Sequence, residues 1–211
     1  MAEGKFITFE GGEGCGKSTQ AKLLAERLRA EGLEVLVTRE PGGTELAEKI
    51  RALVREESAD PPVPRSETLL FLAARAQVVE TVIRPALASG KWVVCDRFAD
   101  STFAYQGFGR GLDVETLKRM NSFATGGLDP HLTLLLEVPP ETAALRMRAR
   151  EAATGDGADR MEKAGGGFHE RLRLGFRKLA EAEPGRFSVI DAGGTVEEVA
   201  ERIWNSIRHI L

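Results

Sequence analysis

Residues 11–18, GGEGCGKS, have the spacing G-x-x-x-x-G-K-[ST]. Glycine costs backbone entropy and gives no side chain to a core, so Gly11, Gly12, Gly14 and Gly16 serve something other than packing. Bare backbone lets successive N–H groups curl around an anion, and a helix beginning at once adds its unpaired donors and positive dipole end. The chemistry is therefore phosphate binding. Glu13 and Cys15 complete the loop, Lys17 reaches the outer phosphates of a nucleoside triphosphate, and Ser18, with Thr19 beside it, offers a hydroxyl to Mg2+. Cys15 either fills space or carries a thiol whose pKa the helix end lowers. The motif is silent about a second substrate.

A second stretch, VVCDRFADS, places Asp96 at the end of an apolar run, where a carboxylate is costly unless a cation or metal partners it. An acid at that position in a phosphate-loop protein stands on the magnesium side, and Arg97, which never titrates away, suits a second phosphate. The alternative is a structural ion pair or a helix cap.

Short runs rich in β-branched and aromatic residues recur at 5–10, 33–38, 91–96, 131–138 and 186–191, each of strand length. Helical patterns occupy 17–30, 45–56, 65–88, 114–125, 140–150, 168–182 and 196–210. Strands alternating with helices require crossover connections, so the fold class is α/β: a five-stranded parallel sheet with helices on both faces. The chain reads as one domain, 1–211. The proline-rich 56–67 is a rigid connection, while the polar, glycine-rich 151–167 is of the length and composition of a functional lid, taken over about 147–167.

A net charge of −3 and a pI near 5.8 argue against broad binding to nucleic acid or an anionic membrane. Any anionic ligand must then meet locally concentrated cations. No apolar run reaches the roughly 20 residues of a membrane span, and the N-terminus lacks a signal-peptide core. Two cysteines, Cys15 and Cys95, are too few for a disulfide framework, which fits a cytoplasmic protein. His131, His169 and His209 have no metal-ligand spacing, and Trp92 and Trp204 read as packing.

FEGGEGCGKST, TREPGGTELAEKIR, LLFLAARAQ, CDRFADSTFAYQGFGRG and HLTLLLEVPP follow one another in an order and spacing that resemble bacterial thymidylate kinases over nearly the whole chain. The resemblance implies a phosphate-loop kinase fold, and transfer of the γ-phosphoryl group of ATP to dTMP with Mg2+, in a homodimer. It sets Glu40, with Pro41, and Asp96 near the acceptor phosphate and magnesium, Arg97 on that phosphate, and Phe71, Arg75, Ser101, Thr102, Tyr105 and Gln106 around the base. Arg51 falls near the same pocket. An aromatic ring stacks on a pyrimidine, arginine donates to its O4, and Gln106 or Thr102 satisfies the remaining edge. Tyr105 stands where a ribose 2′-OH would go.

The acceptor oxygen is largely ionised near neutrality, since a monophosphate's second pKa is about 6, so no general base is needed. Catalysis falls to in-line positioning and charge neutralisation. Lys17, Arg97 and Glu13 are candidates; members of the family it resembles carry a further arginine either in the loop or in the lid, and since this loop has none, the resemblance implies one from the lid, with Arg150 first and Arg160 second. Arg146 and Arg148 read as outward helix residues. Two other readings are a kinase for another nucleoside monophosphate and a nucleotide switch, the latter opposed by the absence of an N-K-x-D guanine motif.

Overall fold

The first strand, β1 (Phe6–Glu10), is buried along its whole length and lies at the centre of a five-stranded sheet ordered β2-β3-β1-β4-β5. All pairings are parallel, as the alternating sequence pattern requires. The structure is a computed structural model that describes residues 4–56, 58–154 and 165–211. Its other strands are β2 (Val35–Arg39), β3 (Trp92–Asp96), β4 (Leu132–Glu137) and β5 (Phe187–Asp191). The helices are α1 (Lys17–Ala30), α2 (Glu45–Arg55), α3 (Pro64–Val78), α4 (Arg84–Ala88), α5 (Ala99–Thr102), α6 (Val114–Thr125), α7 (Pro140–Thr154), α8 (Gly166–Ala182) and α9 (Val196–Ile207).

Strand side chains alternate between two hydrophobic layers, because successive residues point to opposite faces. Phe6, Val93, Cys95 and Leu135 join Val78, Ile83, Phe98 and Phe176 on one side. Ile7, Phe9, Val94, Leu134 and Leu136 join Leu24, Leu28, Ile203 and Trp204 on the other. Fully burying one such side chain stabilises by about 1.5–3 kcal/mol, so these layers hold the sheet's carboxyl edge in place. Helix starts are fixed locally: Thr44 accepts from Ala47 N (3.1 Å), Asp113 from Thr116 N (2.7 Å), and Thr195 with Glu198 forms a reciprocal capping box.

Two features differ from the sequence expectation. The helix expected over 65–88 is α3, a π-helical stretch Val79–Ile83 and α4; Pro85, which has no N–H for the preceding turn, marks the change of register. A helix without a sequence signal follows β3: α5 continues as a π-helical stretch, Phe103–Gly109. Its glycines and aromatics are poor helix formers, and burial overrides that preference. A Cβ on Gly109 would meet the Phe168 ring at 2.5 Å, and one on Gly175 would meet Phe108 at 2.6 Å, so α8 packs in direct contact with this stretch. Arg171 adds two bonds to the Gly109 carbonyl (3.0 and 3.3 Å).

The region assigned to a lid is helical at both ends, α7 running to Thr154 and α8 starting at Gly166. Residues 155–164, including Arg160, lie outside the described residues. Among the described residues no helix is long and apolar enough to cross a membrane.

Candidate functional site

β1 ends in the glycine loop, and the loop ends in α1, whose N-cap is Gly16 with no side-chain cap. The first N–H groups of α1 are thus left for an external anion. Lys17 is buried and folded back over the loop, donating to the carbonyls of Gly12 (2.7 Å) and Gly11 (3.1 Å) and to Cys15 Sγ (3.4 Å). Cys15 is buried, and its thiol donates to the Gly12 carbonyl (3.0 Å), which agrees with the space-filling alternative.

The parallel register sets Phe9 beside Asp96, so the acids that end β1 and β3, Glu10 and Asp96, both stand at the sheet's carboxyl edge. Ser18 Oγ donates to Asp96 Oδ2, while Asp96 Oδ1 is buried with no partner among the described residues. Arg97 has φ +71°, a left-handed conformation that a non-glycine residue adopts only when its surroundings hold it there. Glu10 is what holds it. This fully buried carboxylate accepts from Phe98 N (2.8 Å), Ser101 N (3.2 Å) and Ser101 Oγ (2.6 Å). Burial, and then the charge of Asp100, push the Glu10 pKa up to about 7 against the opposing pull of Ser101 and Arg97.

The turn aims Arg97 at the loop. Its guanidinium donates to Glu13 Oε1 (2.5 Å), the Gly11 carbonyl (3.1 Å) and Ser101 Oγ (3.2 Å), and sits 5.1 Å from the Tyr105 ring centroid. Tyr105 OH donates to the same Glu13 oxygen (3.0 Å). Burial pushes Glu13 up, but Arg97, Lys17 and the Tyr105 hydroxyl together bring it down to about 2.

Next to this turn lies a pocket built around Arg75, which is only 3% exposed. Its Nε donates to Glu40 Oε2 (2.7 Å), Nη1 to Thr102 Oγ1 and Asn121 Oδ1 (both 2.9 Å), and Nη2 to the Phe98 carbonyl (3.0 Å). Guanidinium has five N–H groups, so among the described residues one Nη2 hydrogen is left over. Burial raises the Glu40 pKa and Arg75 opposes it; Glu40 Oε1 is buried without a partner among the described residues. Gln106 is buried and donates through Nε2 to Glu67 Oε1 (2.8 Å).

A cleft of about 730 Å3 joins these parts. It is lined by the loop from Glu13 through Thr19, by Glu40, Pro41, Arg51 and Phe71, and by Arg75, Asp96, Arg97, Ser101, Thr102, Tyr105, Gln106 and Arg150. Of the residues singled out in the sequence, Gly11 and Gly12 stand behind this lining, where they receive Lys17. Arg51 also donates to the Pro41 carbonyl (3.2 Å).

The sequence missed several residues here. Arg55 extends the cluster of cations to which the motif arginine Arg39 belongs, and the β5–α9 loop lines the cleft with Ala192, Gly194, Thr195 and Val196. Arg146 is no outward residue: it lines the cleft and donates to the carbonyls of Ala192 (3.1 Å) and Gly194 (3.2 Å). Arg148 is exposed, as expected. Only the alternation of polar residues on α7 carried a signal for Arg146, and nothing local distinguished Glu10.

Among the described residues no cluster of three acidic, histidine or cysteine side chains could cage a metal. The available set, a serine hydroxyl and an aspartate with one orphaned oxygen, is of hard oxygen donors and suits Mg2+, which keeps its waters and binds through one or two carboxylates plus phosphates.

The thymidylate kinase family model matches residues 9–203. The thymidylate kinase of Synechococcus sp. (strain JA-2-3B'a(2-13)) is 53% identical over 202 residues, covering 96% of this chain and 93% of that protein. That of Geotalea daltonii is 48% identical over 206 residues, covering 97% and 96%. A solved structure of thymidylate kinase from Ehrlichia chaffeensis superposes with a TM-score of 0.79 at 33% identity, covering 98% of this chain and all of that one.

Proposed function

Because the chain belongs to the thymidylate kinase family, we propose that its cleft seats ATP on the glycine loop and dTMP in the Arg75 pocket, with the acceptor phosphate meeting the γ-phosphoryl group between them. The activity is that of a dTMP kinase, converting ATP and dTMP to ADP and dTDP. The observation that carries the site assignment is Arg97, which touches both the loop, through Gly11 and Glu13, and the pocket, through Ser101 and Tyr105.

The acceptor phosphate supplies its own nucleophilic oxygen, so the residues bind and neutralise. Lys17 exchanges its carbonyl partners for the outer phosphates of ATP, where the α1 N-terminus adds its N–H groups. Arg97 takes the dTMP phosphate, while Glu13 keeps the guanidinium aimed and Arg150 adds positive charge from α7. Ser18 and Asp96 would hold Mg2+, with Glu40 as a further oxygen donor; the ion would supply charge neutralisation on the transferred group. Phe71 stacks on the base, the remaining Arg75 hydrogen goes to O4, and Gln106 or Thr102 meets the N3 edge. Tyr105, buried and fixed by Glu13, stands against a ribose 2′-OH.

We read 1–211 as one kinase domain, active as a cytoplasmic homodimer. Supporting the dimer, Leu53, Leu69 and Phe123 are exposed on α2, α3 and α6, three helices packed side by side, and Phe123 is 90% exposed. Sedimentation at micromolar concentration tests this, and a monomer refutes it.

The deciding assay is ADP release from Mg-ATP with dTMP, dUMP, dCMP, AMP and GMP as acceptors. Turnover is expected with dTMP, with dUMP trailing; preference for AMP or GMP would overturn the assignment of the Arg75 pocket to a pyrimidine.

A further inference from the structure

A glutamine amide can recognise either kind of pyrimidine edge. Thymine presents an N3–H donor beside the O4 acceptor, whereas cytosine presents an N3 acceptor beside the N4 amino donor. Turning the amide over exchanges its carbonyl oxygen and NH2 group, and so exchanges the base it fits. Gln106 lines the cleft beside Phe71, Arg75 and Thr102, and which way round its amide faces therefore bears on specificity.

Glu67, on α3, settles that orientation from behind the cleft wall. It is fully buried, does not line the cleft, and accepts from Gln106 Nε2 at 2.8 Å. Arg110 lies on its other side, with Nε and Nη2 at 3.5 and 3.4 Å from its two oxygens, and is itself held over the Phe168 ring at 5.0 Å. A carboxylate paired with arginine offers acceptors only, so the amide cannot turn over without setting its own oxygen against Glu67 in a buried place. Gln106 Oε1 takes no hydrogen bond among the described residues, and is the atom left for a ligand.

We infer that Glu67 is a positioning residue for base specificity: by anchoring the Gln106 amide nitrogen, it presents Oε1 to the N3–H of a thymine-type base and refuses a cytosine-type base. This rests on the base-pocket reading above. The spare Arg75 hydrogen acts in the same sense, since it suits O4 and opposes an N4 amino group.

The test is Glu67→Gln. Arg110 would hold the new side chain's carbonyl oxygen, turning its NH2 toward Gln106, which then gains a partner by turning over. The kcat/KM ratio of dCMP to dTMP is expected to rise about tenfold, the size of one mispaired buried polar contact, mainly through KM. The dUMP to dTMP ratio should stay put, because uracil has thymine's N3 and O4 edge; a merely structural role for Glu67 would lower all three acceptors together. Glu67→Asp, still acceptor-only, should keep the wild-type dCMP to dTMP ratio even if turnover falls. An unchanged dCMP ratio in Glu67→Gln with a wild-type circular dichroism spectrum would overturn the inference, as would equal relaxation in Glu67→Asp. Failure of the pocket reading itself is distinct, because wild-type protein would then show no preference for dTMP over dCMP.

Discussion

Arg75→Met removes a guanidinium that is 3% exposed and leaves Glu40, also 3% exposed at its side chain, as a buried carboxylate without a counter-charge. Thr102, Asn121 and the Phe98 carbonyl lose their donors at the same time. Breaking one side of a buried pair costs about 3–5 kcal/mol. At about 2–4 °C per kcal/mol for a chain of this size, Tm should fall by roughly 6–20 °C. The loss must depend on pH with a definite sign. Burial already raises the Glu40 pKa and Arg75 restrains it, so without Arg75 it rises further. A raised carboxyl pKa means that the folded state binds the proton more tightly, so the variant loses stability as pH rises. The deficit should therefore be larger at pH 8 than at pH 5, and Arg75→Met with Glu40→Leu should recover much of it. Urea unfolding at the two pH values measures both effects. In the coupled assay the variant's kcat/KM for dTMP should drop about 10- to 100-fold, the value of a hydrogen bond from a charged donor. A loss below about 1 kcal/mol that is the same at both pH values would refute the reasoning about the buried pair.

Arg150→Ala should lower kcat about 100-fold or more with little change in ATP affinity, and an unchanged kcat would remove Arg150 from the catalytic set. Glu13, with its pKa depressed to about 2, contributes stability that is present above about pH 4.5 and lost as pH falls toward 2; Glu13→Gln should flatten that limb of an acid-unfolding curve, by about 3 kcal/mol. Glu10 acts with the opposite sign: its pKa of about 7 makes stability fall as pH rises from 4.5 through 7, a slope that Glu10→Gln should remove. At Gly14, φ is +71° and a Cβ would lie 2.5 Å from the Ala143 carbonyl, so Gly14→Ala should push the loop from α7 and weaken ATP binding in calorimetry.

Local chemistry was enough for much of this protein. The five strands were legible as short apolar runs, because β1, β3 and β4 are buried on both faces and need apolar residues while the edge strands β2 and β5 keep β-branched ones, and the glycine loop was legible because only bare backbone can wrap an anion. The resemblance carried by the ordered motifs then implied Arg75, Arg97, Tyr105 and Gln106 as a group, and the fold lines one cleft with them. What the sequence could not state was who faces whom. Glu10 looked like the last residue of a strand; only the pairing of β1 with β3 sets it under the Arg97 turn, where it accepts from Phe98 and Ser101. The helix after β3 has no propensity of its own and forms because α8, some 60 residues later, packs onto it, as Phe168 against Gly109 shows. Arg146 and Glu67 belong to the same class. Their side chains look like ordinary charges on helix faces, and acquire meaning only when a distant loop supplies the carbonyls of Ala192 and Gly194 or the amide of Gln106. Sequence periodicity records which face of an element is apolar; the polar contacts that aim a site join residues far apart in the chain, and distance through space is fixed only by the packed fold.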